Sequence, residues 1–115
     1  QPVFLATLGP IAAHTARATF ATNLFAAGGI SVTQAGATTG VEDLLAAHAG
    51  EKVACLAGTD AAYAEWGAAA VEALRGAGVT HVILAGKPGE LAVDDSCAMG
   101  LDALAFLNRT REALA

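Results

Sequence analysis

The stretch VFLATLGPIAAHTARATFATNLFAAGGI, Val3 to Ile30, decides the fold. Its first six residues form a continuous apolar run, Val3–Leu8, which reads as a strand buried on both faces. Gly9 and Pro10 break the run. An alanine-rich segment follows and stops at Gly28-Gly29, a natural left-handed helix end. Strand, short loop, helix and glycine stop make a βα unit. His14 falls at the handover from strand to helix, where open α/β sheets place their chemistry.

The same unit recurs along the chain. Strand-like runs are expected at Val3–Leu8, Ile30–Gln34, Val53–Leu56, His81–Ala85 and Ala103–Leu107. Between them lie helical segments with start and stop signals. TGVE places a capping Thr39 three residues before Glu42 and opens a second helix that ends at Gly50. Thr59-Asp60 opens a third, which closes at Gly76–Gly78. Tyr63, Trp66, Ala70, Leu74 and Ala77 form its apolar stripe. Val93–Gly100 reads as a weaker, shorter helix, and Asn108 as the cap of a last one. Five βα units with short connections imply an α/β flavodoxin-like fold: a doubly wound, five-stranded parallel sheet in the order 2-1-3-4-5. Its ligand crevice would lie at the carboxyl ends of strands one and three, under the loops GPIAAH and AGTD, with GKPGE beside them.

Composition narrows the function. The chain of 115 residues is sized for one domain, 1–115. It is 55% hydrophobic with a net charge of −5. Six scattered Lys and Arg do not make the basic face that nucleic acid needs. No apolar run approaches the roughly 20 residues that span a bilayer, and no basic segment precedes the first run as in a signal peptide. Cys55 and Cys97 have neither metal-ligand spacing nor a disulfide framework, so a reduced, cytoplasmic setting is expected. A start at Gln1, close to a strand, reads as a domain cut from something longer.

Several chemistries of this fold are excluded by what the loops lack. LGPIAAHT has one glycine and a proline without a donor, unlike a phosphate cradle. Leu8 and Ala57 stand where a receiver domain would carry its magnesium-binding acids. Cys55 is followed by LAGTDAAY, without the arginine of a cysteine phosphatase loop. The ordinary readings of the other polar and aromatic residues are structural. His48 and His81 are expected at the surface near element ends, and Cys55 and Cys97 as small buried hydrophobes. Tyr63 and Trp66 are expected to pack a helix face, and Lys87 to be solvated.

FLATLGPIAAHTARATFATNLFAAGGI, VACLAGTDAAYAE, VILAGKPGE and GLDALAFL together resemble the C-terminal, cobalamin-binding-like domain of the methylmalonyl-CoA mutase family, most nearly that of its small subunits. Cobalamin-binding members carry DxHxxG in the first loop, where the His ligates cobalt and the Asp holds its other nitrogen. Aligned on His14, the Asp position is Ala12 and the Gly position is Arg17. The loop from Gly9 to His14 looks one residue longer than in the binding form. The strand-three Ser-x-Leu becomes Ala57-Gly58-Thr59, and the glycine pair after strand four becomes Ala85-Gly86. The resemblance therefore implies a degenerate copy that binds no cofactor and has no catalytic residue of its own. Adenosylcobalamin is then expected in a large-subunit partner, the heterodimer isomerising methylmalonyl-CoA and succinyl-CoA. His14 is the one cofactor-binding candidate, and only if cobalamin binds. Two alternatives remain: a genuine cobalamin module with His14 as axial ligand, and a free-standing domain that binds another small ligand or a protein partner.

Overall fold

A computed structural model describes residues 2–86, 91, 93–97 and 102–115. It contains a five-stranded sheet in the order β2-β1-β3-β4-β5, with every neighbouring pair parallel. The strands are β1 (Val3–Thr7), β2 (Val32–Gln34), β3 (Val53–Ala57), β4 (His81–Ala85) and β5 (Asp95–Cys97). The flavodoxin-like order read from the sequence is the one observed. No helix among the described residues is long and apolar enough to cross a membrane.

Alternation along the strands builds two cores. Val3, Leu5, Cys55 and Ile83 face α1 (Ile11–Ala27) and α5 (Ala103–Leu114), which contribute Phe25, Phe106 and Leu107. Phe4, Leu56, Val82 and Leu84 face the other side, against Leu44 of α2 (Val41–Ala47) and Leu74 of α4 (Ala68–Gly76). β1 and β3 are buried at every position, which explains their unbroken apolar runs.

Local signals account for most boundaries. α1 ends in a Schellman turn: Ile30 N–H donates to the Phe25 carbonyl and Gly29 N–H to that of Ala26, with Gly29 at φ +73°. Thr59 caps α3 (Asp60–Ala62) by accepting from the Ala62 N–H at 3.0 Å. The helical column continues through a π turn, Tyr63–Gly67, before α4. The stripe read from the sequence holds at Tyr63, Ala70 and Leu74, which are buried, and at Trp66, which packs half-buried against the core; Ala77, the C-cap of α4, is exposed. At α2 the capping partner is Asp43, not Glu42. Its carboxylate accepts from both N–H and Oγ1–H of Thr39 and is held below the usual carboxylate range by those bonds. α2 also stops at Ala47, short of Gly50.

The last βα unit departs from expectation. Ala103–Leu107, read as the fifth strand, opens α5 instead. Asp102 caps it by accepting from Ala105 N–H at 3.1 Å, so Asn108 lies within the helix and is not its cap. Ala and Leu favour helix strongly, and Phe106, Leu107 and Thr110 bury at helical spacing. The true edge strand lies within the segment read as a weak helix. Asp94 N–H donates to the Val82 carbonyl, and Asp95–Cys97 pair with Ile83–Ala85. Arg109 then grips Asp95 through two bonds of 2.8 and 3.2 Å, and Arg75 approaches Asp94 at 3.1 Å. A strand this short and polar is set by tertiary pairing, not by its own pattern. Lys87, most of GKPGE and Ala98–Gly100 lie outside the described residues.

Candidate functional site

At the carboxyl ends of β1 and β3, where the crevice is expected, the strands stay paired to their last residues. The two strands pair in register from Phe4↔Ala54 to Thr7↔Ala57, and Leu8 N–H still donates to the Ala57 carbonyl at 2.9 Å. Gly58 then lies so close to β1 that a Cβ there would meet the Leu8 Cβ at 3.0 Å. On the β2 side, Thr38 stitches its loop to the end of β1. Its Oγ1–H donates to the Thr7 carbonyl at 2.7 Å, and its Oγ1 accepts from Gly9 N–H at 2.9 Å. Thr7 Oγ1–H donates in turn to the Gly36 carbonyl. Both threonines are buried and these bonds satisfy them.

His14 sits in the first turn of α1, because the helix starts already at Ile11. It is 3% exposed, and its Nδ1 lies 3.1 Å from the Gly9 carbonyl oxygen. A carbonyl only accepts, so this nitrogen carries the proton and donates. The absence of an Asp at Ala12 therefore does not leave the ring unheld, as the sequence suggested; a backbone carbonyl does that work. The ring is packed away instead of facing an open surface.

Arg17 takes the space beside it. From the second turn of α1, its Nη1 donates to the Gly58 carbonyl at 2.9 Å and lies 2.8 Å from Oδ1 of Asp60. Its guanidinium carbon is 5.3 Å from the centre of the Tyr63 ring. Burial works against its charge, but the Asp60 carboxylate and the Tyr63 side chain outweigh that and raise its pKa further. At the end of β4, Gly86 has φ +127°, and a Cβ there would stand 3.1 Å from Cζ of Arg17. The conformation favours glycine here, and a Cβ would also press on the Arg17 side chain.

Tyr63 was read as helix packing, and it does more. Its hydroxyl donates to the Ala85 carbonyl at 2.6 Å and accepts from Gly58 N–H at 3.0 Å. It thus ties the carboxyl ends of β3 and β4 together. Burial pushes the phenol up to about 12, against the opposing pull of Gly58 N–H and Arg17. Its position on the π turn could not be read from helical periodicity.

The other polar candidates lie elsewhere and are not brought together. His48, expected at the surface, is half-buried with a side chain only 6% exposed, and lies beside Glu51 ahead of the amino end of β3. Its Nε2 is 2.9 Å from the Glu51 carbonyl oxygen, and its ring meets Phe4 edge-on at 5.3 Å. His81 is half-buried, with Nε2 enclosed and without a hydrogen-bond partner among the described residues. Cys55 and Cys97 are buried as expected, and the Cys97 thiol together with burial pushes the Cys55 thiol well up. Such a thiol is a poor nucleophile. Among the described residues no group of three or more His, Cys, Asp or Glu is arranged to hold a metal.

A corrin with an axial histidine does not fit these residues. His14 is enclosed, and Arg17 reaches across from α1 to the Gly58 carbonyl beside it.

No family model matches the chain. Curated relatives do. A methylmalonyl-CoA mutase small subunit from Streptomyces virginiae is 46% identical over 115 residues, covering 97% of this chain. Probable methylmalonyl-CoA mutase small subunits from Mycobacterium bovis and Mycobacterium tuberculosis are each 48% identical over 96 residues, 82% of the chain. The chain spans only 18% and 15% of the length of these relatives.

Proposed function

We propose that this chain, a homologue of a segment of the methylmalonyl-CoA mutase small subunits, is a degenerate cobalamin-binding-like domain whose role is structural. It keeps the fold and has given up the cofactor. In this reading the small subunit supports a heterodimer that interconverts methylmalonyl-CoA and succinyl-CoA in the cytoplasm. The large subunit is the partner and carries adenosylcobalamin. This domain contributes no catalytic residue.

The observation that carries the reading is the guanidinium of Arg17, seated among Gly58, Asp60, Tyr63 and Gly86 where a ligand would need room. The burial of His14 supports it. No step of the reaction is assigned to these residues.

Titration of the 115-residue chain with hydroxocobalamin, followed by visible spectrum and calorimetry, tests the cofactor half. The expected result is no binding at micromolar concentration. Stoichiometric binding that disappears in His14→Ala overturns it and establishes a cobalamin module. For the assembly half, the full small subunit should co-purify with its large subunit. A small subunit that stays monomeric beside that partner refutes the heterodimer.

A further inference from the structure

The contacts of Arg17 form a socket with four walls from separate parts of the chain. The Gly58 carbonyl and the Asp60 carboxylate accept from Nη1. The Tyr63 ring lies beside the guanidinium carbon, and a Cβ added to Gly86 would stand 3.1–3.4 Å from its Cζ, Nε and Nη1, so the bare glycine leaves the guanidinium its space. A carbonyl, a carboxylate, an aromatic face and a glycine floor match a flat, delocalised cation with N–H donors at its edge. An ammonium is compact and more strongly hydrated, and matches less well.

We propose that this socket is a guanidinium-binding site occupied in cis: Arg17 is a tethered ligand that holds the crevice shut, and without it the socket accepts a free planar cation. The inference rests on the reading above that the crevice is closed in the working protein. It goes further by assigning the chemical class that the site selects and the residue that blocks it. The walls come from the β3–α3 loop, the start of α3, the π turn and the residue after β4, and the occupant from α1, so emptying the socket loosens the joint between α1 and the other elements.

The test is chemical rescue of Arg17→Ala in the 115-residue chain, with methylguanidinium chloride as the probe. The variant is expected to melt about 5–10 °C lower, having lost a charged hydrogen bond and a cation–aromatic contact. Methylguanidinium at about 20 mM should restore at least half of that in a saturable way, as a millimolar ligand does. Equal sodium or ammonium chloride should not. The unmodified chain should show no saturable gain, its socket being full. Equal rescue by all three salts, or no loss in the variant, overturns the proposal. If Arg17→Ala does not fold, nitrogen-detected exchange on the unmodified chain decides. Arg17 guanidinium protons should exchange with water at least about tenfold more slowly than those of an exposed arginine, as protection by a formed hydrogen bond implies. Equal rates overturn it. None of these measurements contains cobalamin, so cobalamin binding by the unmodified chain would overturn the proposed function without deciding the rescue.

Discussion

Arg17 from α1 and Tyr63 from the π turn meet at the carboxyl edge of β3 and β4, guanidinium carbon to ring centre 5.3 Å. Both reach Gly58: Arg17 donates to its carbonyl, and Tyr63 accepts from its N–H. One glycine residue thus engages both side chains, through the two peptide groups that flank its Cα. That shared anchor is why the switch point of this α/β fold is solid.

Tyr63 is the chain's only tyrosine, so its ionisation can be followed directly by ultraviolet absorbance. Its phenol is pushed up to about 12 in the folded state. A raised pKa means that the folded form resists losing the proton. Stability is therefore full below the ordinary phenol value near 10 and falls as pH rises from 10 through 12, by roughly 2–3 kcal/mol at the end. Urea unfolding across that range should show the fall. Tyr63→Phe should remove the tyrosine share of the slope, leaving that of the Cys55 thiol. A phenol that titrates near 10 in the folded chain would contradict the assignment.

Tyr63→Phe should also lower stability at neutral pH. It strips the partner from a buried N–H of Gly58 and a buried carbonyl of Ala85. The expected loss is about 1–3 kcal/mol by urea midpoint at constant slope. An unchanged midpoint would mean that water replaces the hydroxyl.

Gly86→Ala combines a strained φ of +127° with a contact of 3.1 Å to the Arg17 guanidinium. It should cost about 1–3 kcal/mol. With Arg17→Ala added, the double variant should lose less than the sum of the two single losses, by the contact part alone, because the backbone strain persists. Thermal melts of the single and double variants separate the two parts. Additive losses would show that the contact contributes nothing.

His14→Ala should weaken the chain with no cofactor present, since the ring is buried and donates to the Gly9 carbonyl. The expected loss is about 1–3 kcal/mol by thermal or urea denaturation. A histidine kept only as a ligand would leave the cofactor-free stability unchanged.

The edge strand offers a contrast between Asp94, just ahead of it, and Arg109, which reaches it from α5. Asp94 accepts from the Val82 N–H at 2.8 Å, a bond to the body of the sheet. Asp94→Ala should therefore cost about 1–2 kcal/mol. Arg109, half exposed, reaches only a side chain of the edge strand. Arg109→Ala should cost less, because solvent screens such pairs. Hydrogen exchange at β5 would rank the two, and the reverse order would contradict this account.

The sequence by itself determined the sheet and its order. β1, β3 and β4 are buried on both faces, so their apolar runs carry the whole signal locally, and the glycine stop of α1 lies within four residues of its contacts. It determined too that cobalamin-binding positions beside His14 hold Ala12 and Arg17. Only the tertiary structure decided which short segment becomes the edge strand. Asp95–Cys97 has no apolar pattern; it is held by pairing to β4 and by Arg109 from a later helix. The role of Arg17 was likewise out of reach. Its substitution for a glycine was visible, but its partners are 41, 43 and 46 residues away in the chain, and Gly86 lies further still. The π turn that begins at Tyr63, and a backbone carbonyl that steadies His14, leave no periodic trace. Local propensity is written in neighbouring residues, whereas the closing of a crevice depends on distant groups that meet only when the chain has folded.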